Sequence, residues 1–136
     1  MEYLIGFLLS FAVVALAAII GLDRDRAFYP TVLCVIASYY VLFAVLGGGG
    51  QTLVIEVAVA SVFSLFAILA YKKTLWLAVA AMVGHGVFDF VHHFFIQNPG
   101  VPPWWPGFCL AFDVILGAWL AVRLMRHEAA NESVTR

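Results

Sequence analysis

The sequence predicts an all-α integral membrane protein: a bundle of five transmembrane helices, with the N-terminus outside and the C-terminus in the cytoplasm. Two observations predict it, the apolar composition and the placement of the cationic residues. Of the 136 residues, 65% are hydrophobic and 11% are charged, and the mean hydropathy is +1.03. A soluble domain has roughly half apolar residues and about a quarter charged ones. The chain therefore needs an apolar solvent, and the lipid bilayer is its predicted partner.

The same composition excludes several other classes of protein. Two cysteines are too few for a disulfide-rich secreted scaffold, and the hydrophobicity is too high for a disordered chain. The formal net charge of −1 provides no basic surface for a nucleic acid. Nucleic-acid binding is therefore not expected.

Five apolar stretches are long enough to cross a bilayer, which takes about 20 residues at a rise of about 1.5 Å each. The breaks between them are short, so we predict a single transmembrane domain over residues 1–136. Gly47–Gly50 is predicted to be a tight turn between the second and third spans. The predicted spans are residues 3–22, 27–46, 52–71, 75–96 and 107–125, followed by a cytoplasmic tail at 126–136.

All the lysines and arginines fall on one predicted side of the membrane. They are Arg24 and Arg26 in the first loop, Lys72 and Lys73 in the third, and Arg123, Arg126 and Arg136 at the C-terminal end. The positive-inside rule places that side in the cytoplasm. We therefore expect a multi-pass protein of the inner (plasma) membrane.

Ionisable residues within the spans indicate a functional site. Each costs about 2.5–3.5 kcal/mol at the centre of a membrane helix, so such residues are functional candidates by default. Glu56, Asp89 and Asp113 belong to three different helices, yet all lie roughly 6–10 Å below the outer boundary. We therefore predict that they share one polar layer in the outer half of the membrane.

The fourth span carries the pattern H-x3-D-x2-H-H, formed by His85, Asp89, His92 and His93. At 100° per residue, the first three fall within about 60° of one another on a helix. Side chains three or four residues apart can share a ligand, so Asp89 can bind a metal with His85, or with His92 or His93. Imidazole and carboxylate ligands suit Zn²⁺, Fe²⁺ or Mn²⁺. These four residues are the predicted ligands of a divalent metal ion.

Glu56 and Asp113 are the predicted catalytic residues, each a candidate general base for a metal-activated water. Either can also complete the metal's coordination sphere. The predicted substrate is a lipid or another apolar small molecule, which would be hydrolysed or, with a redox iron pair, oxidised. We expect Asp89 and Asp113 to face each other, with His85 on the same wall as Asp89 and Glu56 closing the ring.

Two other functions fit the same residues. In a transport component, Glu56, Asp89 and Asp113 would carry protons or cations, although the inner half has few polar residues to continue a path. In a structural or partner-binding subunit, a metal-free polar network would only pair the helices. Homo-oligomerisation also fits so short a chain.

Gly84 and Gly86 flank His85 in the fourth span. Small residues let membrane helices approach closely. We therefore expect a neighbouring backbone to pack against this part of the span.

Three segments resemble a family of small uncharacterised bacterial integral membrane proteins: residues 21–30, residues 85–93 and the proline- and tryptophan-rich loop 97–106. The resemblance covers most of the chain and implies no activity. Asp89-x2-His92-His93 is also similar to the H-x2-H-H box of membrane fatty-acid desaturases and hydroxylases, with Asp in place of the first His. Those enzymes carry several boxes, and this chain has one. By residue type alone, the site also resembles that of ceramidase-like membrane hydrolases, which hold Zn²⁺ between helices.

Overall fold

A computed structural model describes residues 1–134 of the chain, so the predicted cytoplasmic position of Arg136 lies outside the described residues. Within that range the chain is helical and has no strand. The α-helices are α1 (Glu2–Ile20), α2 (Phe28–Phe43), α3 (Gly49–Lys72), α4 (Trp76–Val91) and α5 (Trp105–Val134). Short helical turns cover Leu22–Arg24, Ala44–Gly48 and His92–Phe94.

Four helical stretches are long and apolar enough to cross a membrane. They are Glu2–Ile20, Phe28–Lys72, Trp76–Phe94 and Trp105–Asn131. The second contains α2 and α3, joined by a π-helical turn at Ala44–Gly48. The apolar composition of the sequence is therefore reflected in an all-helical fold of the kind that membrane proteins use.

The 45-residue stretch Phe28–Lys72 folds back on itself. Arg26, just before its start, donates from Nε to the main-chain oxygen of Tyr71 near its end, at 2.5 Å. A straight helix of this length would separate its ends by about 65 Å. The reversal lies at Gly49, whose φ of 79° and ψ of 172° suit only glycine. The chain thus turns within the predicted segment Gly47–Gly50.

Two predicted boundaries differ from the structure. The α-helical part of the fourth span ends at Val91 and tightens into a 3₁₀ turn over His92–Phe94. The last helix does not stop at residue 125, because α5 continues to Val134. Its extension is anchored by a hydrogen bond from Trp76 Nε1 to Glu128 Oε1 at 3.0 Å. Residues 126–134, predicted as a tail, are therefore helical.

Helix α4 lies at the centre of the fold, where it packs against α5, α3 and α2, while α1 packs mainly against α5. Buried aliphatic and aromatic side chains from all five helices form the core. They include Val14, Leu33, Ala67, Met82, Phe112 and Leu116. The central position of α4 places its polar residues inside the bundle.

Helices α4 and α5 approach each other closely at Gly86. A Cβ atom there would lie 3.0 Å from Asp113 Cβ and 3.3 Å from Leu110 Cα. At Gly84, by contrast, a Cβ atom would meet no atom within 4 Å. Residues two apart on a helix point in nearly opposite directions, so only one of the two can face α5. The expected close approach is confirmed for Gly86 and wrong for Gly84.

The arginine-bearing segments meet at one end of the bundle. Arg26 reaches the C-terminal carbonyls of α3, at Ala70 and Tyr71. Arg123 on α5 pairs with Asp23 in the first loop, with 2.8 Å between Nη1 and Oδ2. Cations at a helix C-terminus also interact favourably with the helix dipole. These contacts hold α3, α5 and the first loop together.

Replacing Gly86 by leucine should destabilise the fold, because overpacking a tight helix contact costs about 1–3 kcal/mol. We expect the thermal unfolding midpoint in detergent, followed by circular dichroism, to fall by several degrees. The matched control is Gly84→Leu, on the same helix, which should not lower the midpoint since it meets open space. Equal losses in both variants would contradict the assigned helix contact.

Candidate metal centre

Three ionisable side chains converge between α4 and α5. His85 and Asp89 lie one turn apart on α4, and Asp113 lies opposite them on α5, beside Gly86. Their exposed fractions are 2%, 0% and 0%, respectively. The absence of a side chain at Gly86 is what lets α5 bring Asp113 to this depth in the bundle.

These groups form a hydrogen-bonded pair and also lie close enough to one another to hold an ion. His85 Nδ1 lies 2.7 Å from Asp113 Oδ2 and 3.6 Å from Asp89 Oδ2. One candidate ligand atom from each residue lies within 4.8 Å of the other two. Ligand atoms about 2.0–2.1 Å from a tetrahedral zinc ion are about 3.3 Å apart. The expectation that Asp89 and Asp113 converge beside His85 is confirmed.

Several carboxylate oxygens of this cluster lack a conventional partner. Among residues 1–134, Asp113 Oδ1 and both oxygens of Asp89 have no hydrogen-bond partner. Burying a carboxylate is costly unless it is paired or bound to a cation. The arrangement therefore favours a bound cation or a proton on the cluster.

Apolar and sulfur-containing side chains enclose the cluster. The ring of Phe63 on α3 packs edge-on against His85, with 4.7 Å between the ring centroids. Cys109 on α5 is 1% exposed and lies one helical turn before Asp113. A site enclosed in this way excludes water and strengthens the electrostatic interactions inside it.

Glu56 and His92 form a separate buried pair. Their side chains meet at 2.8 Å between Oε1 and Nε2, and Glu56 on α3 is 1% exposed. Asn98 in the following loop donates from Nδ2 to the same Glu56 oxygen, also at 2.8 Å. The ring of Tyr40 packs against His92, with centroids 4.4 Å apart. Glu56 therefore faces the protein interior, where a histidine and an amide bind it.

Asn98 also fixes the loop between α4 and α5. Its Nδ2 donates to the Tyr40 main-chain oxygen at 3.2 Å, and its Oδ1 accepts the Gly100 N–H at 3.3 Å. Thr52 of α3 adds a bond to the Gln97 carbonyl at 3.1 Å. Sequence reasoning missed Asn98. The available signal was an amide side chain directly before Pro99-Gly100, in the outer loop that follows the fourth predicted span.

His93 points away from both groups. It is exposed, and its ring lies against Phe94 with 3.9 Å between centroids. Together with His92, Glu2 and Tyr3, it lines a surface cavity of about 350 Å³. The structure thus brings His85, Asp89 and Asp113 together, pairs Glu56 with His92, and leaves His93 at the surface.

Comparisons with protein-family models, curated proteins and solved structures find no significant match to this chain. The two buried polar groups, and the cavities beside them, are therefore the basis for assigning a function. Both groups draw on α4, the helix that the H-x3-D-x2-H-H pattern singled out.

Replacing Asn98 by alanine should loosen the loop, because it removes donors to Glu56 and to the Tyr40 carbonyl. Leaving such buried acceptors unpaired costs about 1–3 kcal/mol, so local opening should rise at least about fivefold. Limited proteolysis in detergent, with cleavage sites mapped by mass spectrometry, measures this opening. Gln97→Ala is the matched control, since Gln97 is exposed. Equal cleavage rates in the two variants would contradict the proposed role of the Asn98 hydrogen bonds in holding the loop.

Proposed function

We propose that this chain is a five-span protein of the inner (plasma) membrane that binds one divalent metal ion between α4 and α5. The observation that carries the proposal is the convergence of His85, Asp89 and Asp113 in a buried cluster with unpartnered carboxylate oxygens. The proposed role is metal-dependent chemistry on a lipid or another apolar substrate.

The five-span topology has support in the contacts of α2 and α3. These helices pack against each other, and the bond from Arg26 to Tyr71 brings their distant ends together. Counting them as two spans puts the first loop, the third loop and the C-terminal part of α5 on one side. The positive-inside rule makes that side cytoplasmic and leaves the N-terminus outside.

A divalent ion matches the charge of the cluster. Two ionised carboxylates and a neutral imidazole carry a charge of −2, which one divalent cation balances in a medium where unbalanced charge is costly. Nitrogen and oxygen ligands suit zinc, iron or manganese. Three protein ligands also leave a coordination position for water or substrate, as in catalytic zinc sites.

Access from the lipid phase supports an apolar substrate. A groove of about 810 Å³ between α1 and α2 includes Cys109 in its wall, and Cys109 lies one helical turn before Asp113 on α5. A substrate in this groove would approach the proposed metal from the side, without crossing water. In this scheme Asp113 would help to hold the ion, which would supply Lewis-acid chemistry, and Glu56, held by His92 in the neighbouring polar group, would be the candidate proton acceptor.

Proton or cation transfer is the second candidate function. It is favoured by two histidine–carboxylate pairs whose histidines both belong to the stretch Trp76–Phe94, His85 with Asp113 and His92 with Glu56. The two histidines are seven residues apart, about 10.5 Å along the axis. This function would use the pairs as successive proton sites without a bound metal.

Metal content separates these two functions. We expect detergent-purified protein to contain about one divalent ion per chain by elemental analysis. The double variant His85→Ala/Asp89→Ala should contain none, because it removes two of three ligands. The control His93→Ala should keep the metal, since His93 lies outside the cluster. Absence of metal from the parent protein, prepared without chelators, would refute the metal site and favour proton transfer.

Cysteine accessibility tests the orientation. In intact cells, a membrane-impermeant maleimide should label cysteines introduced at Gly50 or Val101, but not one introduced at Lys73. The parent protein, which contains Cys34 and Cys109, gives the background labelling. Labelling at position 73 without permeabilisation would overturn the proposed orientation.

A further inference from the structure

A long apolar groove separates α1 from α2. Helix α1 packs mainly on α5 and α2 packs on α3, so the space between them is floored by α5. Its walls include Leu9 and Val13 of α1, Val32 and Val35 of α2, and Phe108 and Phe112 of α5. Such a surface would be wetted in water, but within a membrane it meets acyl chains.

The groove has the length of a hydrocarbon chain that spans much of a bilayer. Trp104 and Trp105 line one end, and Leu22 and Asp25 line the other. Helix α1 rises about 22 Å at 1.5 Å per residue from Ile5, which lines one end of the groove, to Ile20, which lies next to Leu22 at the other end; a hydrocarbon core is roughly 30 Å thick. An extended acyl chain therefore fits along it.

The Asp25 end of the groove adjoins a polar cavity of about 620 Å³. Asp25 lines both spaces, and Arg24, Arg26, Arg123 and His127 also line the cavity. Because the two spaces meet at Asp25, one amphiphilic molecule that passes this residue would occupy both.

The polar cavity carries a net positive charge. It contains three arginines and two aspartates. Asp23 is paired with Arg123, and Asp25 accepts the N–H of Ala27 at 2.8 Å. Arg26 donates to carbonyl groups, which leave its charge uncompensated. The cavity therefore complements an anionic group.

We propose that the groove and the polar cavity together bind an anionic phospholipid of the cytoplasmic leaflet. One acyl chain lies between α1 and α2, and the phosphate lies among the arginines. Basic pockets between membrane helices on the cytoplasmic side favour anionic head groups, and guanidinium groups bind phosphate in a bidentate manner. The lipid site rests on the proposed membrane orientation and not on the metal ion.

Lipid binding to delipidated protein in detergent tests the proposal. Native mass spectrometry and thermal unfolding are measured with phosphatidylglycerol, with phosphatidylcholine of the same chains, and with glycerol phosphate alone. We expect about tenfold tighter binding of phosphatidylglycerol than of phosphatidylcholine, and stabilisation by several degrees. Glycerol phosphate, which lacks a chain for the groove, should give neither effect. Equal binding of the two lipids, or full stabilisation by glycerol phosphate, would overturn the proposal.

Two variants with matched controls locate the site. Arg24→Gln should lower the preference for phosphatidylglycerol severalfold, whereas Lys72→Gln, an exposed cation outside the cavity, should not. Val35→Trp should block the groove and weaken binding of both lipids. Val62→Trp is its control, because Val62 on α3 has a similar exposure of 52%, against 49% for Val35, and lies outside the groove.

The outcomes separate this proposal from the metal site. If each variant equals its control in lipid binding, the lipid site is refuted. All four variants should retain the metal content of the parent protein, since none replaces a ligand. Loss of lipid preference with unchanged metal, or loss of metal with unchanged lipid preference, would therefore identify which proposal fails.

Discussion

The burial of two carboxylates against one histidine is the constraint around which this bundle is organised. Asp89 and Asp113 have no exposed surface, and His85 Nδ1 lies 3.6 Å from Asp89 Oδ2 and 2.7 Å from Asp113 Oδ2. The contact exists only because α4 and α5 come together at Gly86, where a side chain would collide with Asp113. Helix packing and the chemistry of the centre are thus set by the same glycine.

The sequence predicts the parts of this centre that depend on one helix. Spacing alone places His85 and Asp89 on the same face, and matched depth brings Asp113 to them. It does not predict how Glu56 and His92 pair, because that depends on the rotation of α3 and on the loop that delivers Asn98. It also cannot distinguish Gly84 from Gly86, since either could face a neighbour until the helix orientation is known.

The end of α4 explains why His92 and His93 do not join the cluster of His85 and Asp89. The chain tightens into a 3₁₀ turn from His92 onward, and each residue of such a turn advances by about 120° instead of 100°. His93 is therefore rotated further from the face of Asp89, and it lies at the surface. His92 lies seven residues beyond His85, about 10.5 Å along the axis, and there it faces Glu56. The single sequence pattern H-x3-D-x2-H-H therefore contributes residues to two separate polar groups.

The packing of α1 on α5 joins the first helix of the chain to the last. At Gly6, α1 meets the backbone of Phe108, about a hundred residues later. At synthesis rates of about 5–20 residues per second, α1 is made roughly 5–20 s before its main partner. In the proposed membrane location, its stripe of Gly6, Ser10, Val14 and Ala17 would contact lipid during that time. The packing of α1 is therefore completed only after α5 has been made and has displaced that lipid.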